Sequence, residues 1–258
     1  TTDELASIPH HLINILEPDD DYSVSIFQQQ AKLLINQLND NHVVPILSGG
    51  TGLYVQSLLE NYNFNDIKPN TKLRIELDEL YTEYGVDGLR EYAQNLAEKG
   101  GIEIKYTDKH RLYRAIELMT AGDYKLLIKQ TKEGLSYKGP VIGLQRERSD
   151  LYDRINRRVE IMFEKGLVDE VKQLLKNGVN PNCQAFKGIG YKEVVQYLEG
   201  LISYDACVDL IQKNTRHFAK RQITWYKRMP YIEWIIIDSQ TTEAEIYGMA
   251  CNIIDSSF

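Results

Sequence analysis

The sequence predicts an α/β fold whose core is interrupted by an all-helical subdomain, and three observations predict it. Short β-branched runs alternate with helical periodicity towards both ends of the 258-residue chain, the pattern of helices layered on a sheet. Residues about 62–125 instead repeat apolar side chains at helical spacing with no convincing strand. A glycine-rich turn, Ser48-Gly49-Gly50-Thr51-Gly52, joins a predicted strand to a predicted helix.

The elements follow in order. Ser25 to Leu38 reads as an amphipathic helix with Ile26, Leu33, Leu34 and Leu38 as core positions. His42 to Leu47 reads as a buried strand, with Pro45 limiting its place in the sheet. After the glycine turn a helix runs from Leu53 to Leu59. In the middle block Leu73, Leu77 and Leu80, then Leu89, Tyr92 and Leu96, then Leu112, Ile116 and Met119 mark helical faces, and Gly100-Gly101 breaks the run. A second strand is predicted at Pro140–Leu144, then helices near 149–165, 167–177, 190–198 and 203–228. A last strand, Tyr231–Ile237, leads into a C-terminal helix. The expected division is a core of residues 1–61 and 139–258 and an inserted helical subdomain of residues 62–138.

Composition narrows the functional class. At 43% hydrophobic and 26% charged the chain reads as an ordinary globular protein. No apolar run approaches the ~18 residues of a membrane span, and the first residues lack a basic-then-apolar signal. Cys183, Cys207 and Cys251 have no CxxC or Cys/His spacing, so a reducing, cytoplasmic setting is expected. The pair His10-His11 belongs to no HExxH pattern, and no residue is assigned as a metal ligand.

Charge is unevenly spread. The formal net charge is −7, yet residues 143–228 hold 16 Lys and Arg against 11 Asp and Glu. The remainder holds 14 against 26. Within the basic segment a helix places Lys213, Arg216, Lys220 and Lys227 along one side, with His217, Arg221, Thr224 and Arg228 beside them. Ile211, Phe218 and Trp225 fall on another side, as anchors to a core. Such a stripe on an acidic protein suits selective docking of a phosphate-bearing partner; a solvated lysine face is the other reading of the charge.

Four segments could carry chemistry. In Ser48-Gly49-Gly50-Thr51-Gly52 bare backbone N–H groups and the Thr51 hydroxyl lie at a helix N-terminus, where an anion could sit. The same glycines could serve packing alone, and no lysine follows to make a Walker A loop. Arg111 and Arg114 share a helical face and could grip phosphates or be saturated by neighbouring acids. Arg154 and Arg158 lie one turn apart beside a core stripe of Leu151, Ile155, Val159 and Met162. They could hold a diphosphate by bidentate contacts or form a surface ion-pair ladder. Finally, Cys183 to Glu193 reads as a glycine-punctuated loop entering a helix, with Lys187, Tyr191 and Lys192 exposed for stacking and phosphate contact.

Taken in order, these segments resemble the tRNA dimethylallyltransferase (isopentenyltransferase) family. The residues that carry the resemblance are Pro9-His10-His11-Leu12-Ile13, Gly49-Gly50-Thr51-Gly52-Leu53-Tyr54, Arg111-x-x-Arg114-Ala115, Leu151-Tyr152-x-Arg154-Ile155-x-x-Arg158-Val159, Gly188-Ile189-Gly190-Tyr191-Lys192-Glu193 and Ala219-Lys220-Arg221-Gln222-x-Thr224-Trp225. It extends from near residue 1 to about 235. The resemblance implies a P-loop-kinase-like parallel sheet core with a helical insertion. It implies transfer of the dimethylallyl group of dimethylallyl diphosphate to N6 of the adenine beside the tRNA anticodon, assisted by Mg²⁺. By the same resemblance Arg154 and Arg158 steady the diphosphate, and Thr51 approaches the flipped target nucleotide, with Gly49, Gly50 and Gly52 shaping its turn. Arg111, Arg114, Lys187, Tyr191, Lys220 and Arg221 hold the anticodon stem-loop. The implied protein is a monomer.

One departure from the family pattern is plain. The family's Gly-x-x-x-x-Gly-Lys-[Ser/Thr] loop, and the Asp-Ser-x-x-x-Tyr segment that supplies its general base, occur nowhere in these residues. The expectation is that roughly fifty to sixty preceding residues carry them, about a third of a typical domain, and that the chain alone is inactive. Asp19, Asp20 and Asp21 read as a solvated loop rather than a substitute base. The alternative function is a non-catalytic tRNA-binding protein that has lost the phosphate loop. A prenyltransferase of free adenine nucleotides fits less well, because a mononucleotide needs neither the helical insertion nor the basic helix. A P-loop kinase relative fails for want of a phosphate-binding lysine.

Overall fold

A computed structural model describes residues 8–64, 70–124, 127 and 135–258. Residues 65–69, 125, 126 and 128–134 of the predicted subdomain, and residues 1–7 of the predicted core, lie outside the described residues. The chain forms two compact units: Thr1–Leu59 with Leu135–Phe258, and Glu60–Gly134.

The larger unit is α/β. Helix α1 spans Val24–Asp40 and is capped by Ser23, whose side chain accepts from the Ile26 amide at 3.2 Å. Helix α2 spans Gly52–Leu59. The buried face of α1 is Gln28 and Ala31, and Gln28 Nε2 donates to the Ser57 carbonyl at 2.7 Å, tying α1 to α2. The expected core positions of α1 fare differently: Leu34 and Leu38 are half-buried, whereas Ile26 and Leu33 are exposed, Leu33 at 63%. The apolar stripe is wider than the surface that covers it.

The predicted strand His42–Leu47 does not form. These residues are irregular, and Val44 and Ile46 are 81% and 87% exposed. His42 takes a left-handed φ of 58° directly after the helix, Pro45 has no N–H to give a ladder, and no described strand lies beside the segment. An apolar run predicts a strand only where a partner exists.

The sheet of the described residues is a parallel pair, β1 (Val141–Arg146) and β2 (Ile232–Ile237). Its register runs from Val141 opposite Ile232 to Arg146 opposite Ile237. A parallel pair requires a crossover, and four helices supply it: α5 (Arg148–Glu164), α6 (Leu167–Lys176), α7 (Tyr191–Leu198) and α8 (Tyr204–Tyr226). They pack around Val159, Leu167, Val171, Phe186, Val194, Cys207 and Ile211. Helix α9 (Glu243–Ser257) starts in a capping box of Thr242 and Glu245. All the helices predicted after the first strand are present, with ends displaced by a residue or two.

The second unit, Glu60–Gly134, is helical over its described residues. Helix α3 spans Thr71–Lys99 and is kinked at Gly85 (φ 66°, ψ −156°), and α4 spans Lys109–Thr120. Both start on acceptor side chains, Asn70 and Asp108. They bury Leu73, Leu77, Leu89, Ala93, Leu112, Ile116 and Met119 between them. Tyr92, expected in that core, is exposed, and the neighbouring Ala93 is buried in its place. Glu117 is a buried acid of this unit: it accepts from Arg74 Nε at 2.7 Å, from the Asn70 amide at 3.0 Å and from Arg114 at 3.3 Å. Burial pushes its carboxyl up, but these donors outweigh that and hold it below the ordinary value.

Candidate functional site

The glycine turn lies against helix α8. Gln222 Nε2 donates to the Gly50 carbonyl at 2.7 Å. A methyl group on Gly50 would meet that Nε2 at 2.1 Å, and one on Gly52 would meet Trp225 Cδ1 at 2.4 Å. Gly52 thus has a packing reason to be glycine, since a side chain there would meet the Trp225 ring, whereas at Gly50 the Gln222 amide would have to give way. Gly49 has nothing within 4 Å of such a methyl and is exposed, as is Thr51. The Thr51 carbonyl accepts from the Tyr54 and Val55 amides and so opens α2.

The same stretch of α8 carries the cationic face. His217, Lys220, Arg221, Thr224, Trp225 and Arg228 line a shallow depression, with Lys220 and Arg221 exposed. No described acid pairs with either cation. Phe218, expected to anchor the helix, is instead 43% exposed, with the Arg221 guanidinium 5.9 Å from its ring centre. The anchor is Ile211, which is buried, together with the half-buried Trp225.

A second concavity, a groove of about 530 Å³, opens where the two strands end. It is lined by Arg146, Asp150, Asp153, Arg154 and Arg157 on one side and by Thr241, Thr242 and Glu243 on the other, three cations against three acids. Arg146 donates to Asp150 at 2.8 Å and to the Asp238 carbonyl at 2.9 Å, so its guanidinium is fixed at the ends of β1 and β2. Arg154 and Arg158 are both exposed on α5. Arg154 lines the groove with Arg157, and Arg158 is not among the lining residues. Sequence reasoning missed Arg146, although the carboxyl ends of parallel strands are where α/β proteins place ligands.

Lys187 is exposed on a short 3₁₀ turn (Ala185–Lys187). Tyr191, expected to be exposed, is half-buried. Its ring packs edge-on to Phe186 at 5.6 Å, and its hydroxyl donates to Glu170. The Glu170 carboxylate, helped by burial, pushes that hydroxyl up to about 12. Arg111 and Arg114 lie in the helical unit. Arg111 is exposed with no described acid on its side chain, whereas Arg114 is paired with Glu117.

Two members of the acidic run accept backbone hydrogen bonds, one of them from a distant loop. Asp19 Oδ1 accepts from the Asn180 amide at 3.0 Å, and Asp20 accepts from the Glu17 amide. Among the described residues no three of His, Cys, Asp and Glu converge to hold a metal ion. They do not form a dedicated cage for Mg²⁺.

Fold and site together define an α/β protein in which a glycine-rich turn is held against a cationic helix. The chain belongs to the IPP transferase family, whose family model matches residues 1–229. It is 37% identical over 256 residues to the tRNA dimethylallyltransferase of Alkaliphilus metalliredigens, covering 97% of this chain and 81% of that protein. It is 38% identical over 242 residues to the tRNA dimethylallyltransferase of Clostridioides difficile, covering 92% of this chain and 77% of that protein. The crystal structure of the full-length tRNA isopentenylpyrophosphate transferase of Bacillus halodurans superposes with a TM-score of 0.69 at 34% identity, covering 100% of this chain and 82% of that one. The corresponding transferase of Staphylococcus epidermidis gives 0.67 at 32% identity, covering 99% and 84%. Among the described residues no helix is long and apolar enough to cross a membrane.

Proposed function

We propose that the protein is a tRNA dimethylallyltransferase, a prenyl-transferring enzyme acting on N6 of the adenine beside the anticodon. The observation that carries this reading is the Gly50-Thr51-Gly52 turn seated on the helix that bears Lys220 and Arg221, in a chain of the IPP transferase family. In the reaction the C1–O bond of dimethylallyl diphosphate breaks and the diphosphate leaves with the bonding pair. N6 forms the new bond to C1 and gives up one proton to the general base, expected from the Asp-Ser-x-x-x-Tyr segment that these residues do not contain. Arg154, in the groove with Arg146 and Arg157, would meet the charge that grows on the leaving diphosphate. Lys220 and Arg221 would take phosphates of the anticodon stem-loop, and Lys187 and Arg111 would extend that contact. Thr51 would approach the extruded adenine, because a stacked base cannot meet an electrophile. Mg²⁺ would accompany the diphosphate, as a hard cation that prefers oxygen ligands, and would offset its charge. The protein acts as a cytoplasmic monomer in this reading. The non-catalytic alternative is not favoured, since the relatives it resembles over most of their length are named as transferases.

The test is direct. The complete protein is incubated with an anticodon stem-loop and dimethylallyl diphosphate, and the digested nucleosides are weighed by mass spectrometry. Adenosine carrying one dimethylallyl group supports the proposal. Tight binding of the RNA with no modified adenosine overturns it in favour of the RNA-binding alternative.

A further inference from the structure

We infer that Gln222 is a positioning residue for the transfer step, acting through the Gly50-Thr51-Gly52 turn; this rests on the role proposed for Thr51. Gln222 and Trp225 are three residues apart and so share one face of α8. That face meets the turn at two alternate residues, Gly50 and Gly52. With both glycines turned to the helix, Thr51 between them is presented outward, and it is exposed.

Of the two contacts, the Trp225 contact is steric and the Gln222 contact is directional. Gln222 Nε2 donates to the Gly50 carbonyl at 2.7 Å across 172 residues of sequence, which fixes the rotation of the peptide preceding Thr51. The Thr51 carbonyl in turn accepts from Tyr54 at 2.9 Å and from Val55 at 3.1 Å, so both peptides flanking Thr51 are pinned. Losing the Gln222 bond frees the first of them. Reaction rates fall steeply when a group near the reacting atoms is misplaced by a fraction of an ångström to an ångström. Binding of an extended polyanion is shared over many contacts and is far less sensitive.

The experiment compares wild-type protein with Gln222→Met, which keeps length and removes the donor, and with Gly50→Ala, whose methyl would displace the amide. Both should lower kcat by roughly tenfold, the scale of one hydrogen bond, while KM for the stem-loop stays within about twofold. In a Thr51→Ala background Gln222→Met should cause little further loss, because its effect passes through Thr51. Hydrogen exchange of the Tyr54 and Val55 amides should quicken in Gln222→Met, a readout independent of turnover. Wild-type kcat and unchanged exchange in Gln222→Met would overturn the inference and leave the proposed function standing. So would an undiminished loss in the Thr51→Ala background, which marks a purely structural residue. Absence of transfer by the complete wild-type protein would instead overturn the proposed function, and the exchange measurement would still decide whether Gln222 orders the turn.

Discussion

The indole of Trp225 lies so near Gly52 that a single methyl group there would come within 2.4 Å of Cδ1 and 2.8 Å of Nε1. An aromatic ring held inside a packed interface cannot yield as a flexible amide does. Gly52→Ala should therefore destabilise the protein by about 1–3 kcal/mol, the usual cost of overpacking. Gly49→Ala, with open space around it, should change stability by no more than about 0.5 kcal/mol. Thermal unfolding of both variants, followed by tryptophan fluorescence, checks the contrast.

Arg154 and the pair Lys220 and Arg221 occupy different concavities, and their losses should separate. Arg154→Ala should reduce kcat by roughly a hundredfold, the scale of one lost electrostatic contact to transition-state charge, with little change in RNA affinity. Lys220→Ala with Arg221→Ala should weaken RNA binding and lower the slope of log K against log salt by about one per lost phosphate contact. Steady-state kinetics and salt-dependent binding give the two quantities. Equal effects of the two variants on both would break the division.

Tyr191 should titrate late. Its hydroxyl donates to Glu170, and its value is pushed up from 10.0 to about 12. Because the folded value exceeds the unfolded one, the stability it contributes is complete below about pH 10 and is lost as pH rises through about 12. The ultraviolet difference titration of wild type against Tyr191→Phe should show one phenol with that late midpoint. Glu170→Gln should bring it down.

Glu117 should make the helical unit acid-sensitive. Its folded value lies below the ordinary 4.5, so its contribution is present above that value and is lost as pH falls through the lowered one. Glu117→Gln should cost about 1–3 kcal/mol at neutral pH and flatten the acid dependence. Amide-exchange protection of α4 across pH, in wild type and variant, measures both.

The crossover helices were legible because their signals are local. The helical spacing of Leu151, Ile155, Val159 and Met162 fixes α5 without knowledge of anything distant. The strand expected at His42–Leu47 is absent because burial of a strand depends on what lies beside it, and no periodicity records a neighbour. The cationic face of α8 was readable from spacing alone, but which apolar residue anchors it was not: Phe218 is exposed where Ile211 is buried. The glycine turn was visible as a motif. Its bond to Gln222 was not, because the partners stand 172 residues apart. Arg146 ends the first strand, and its role at the groove needed the position of β2 to be known.

The parallel pairing of β1 with β2 orders events during synthesis. Val141–Arg146 leaves the ribosome long before Ile232–Ile237, and no strand of the described residues pairs with it in the interval. The helices α5 to α8 emerge meanwhile and can consolidate around Val159, Val171, Val194 and Ile211, contacts of shorter sequence separation that are cheaper to close. Only then does the last strand close the sheet. The groove between Arg146 and Thr241 is therefore a late product of folding, completed after the cationic helix is already in place.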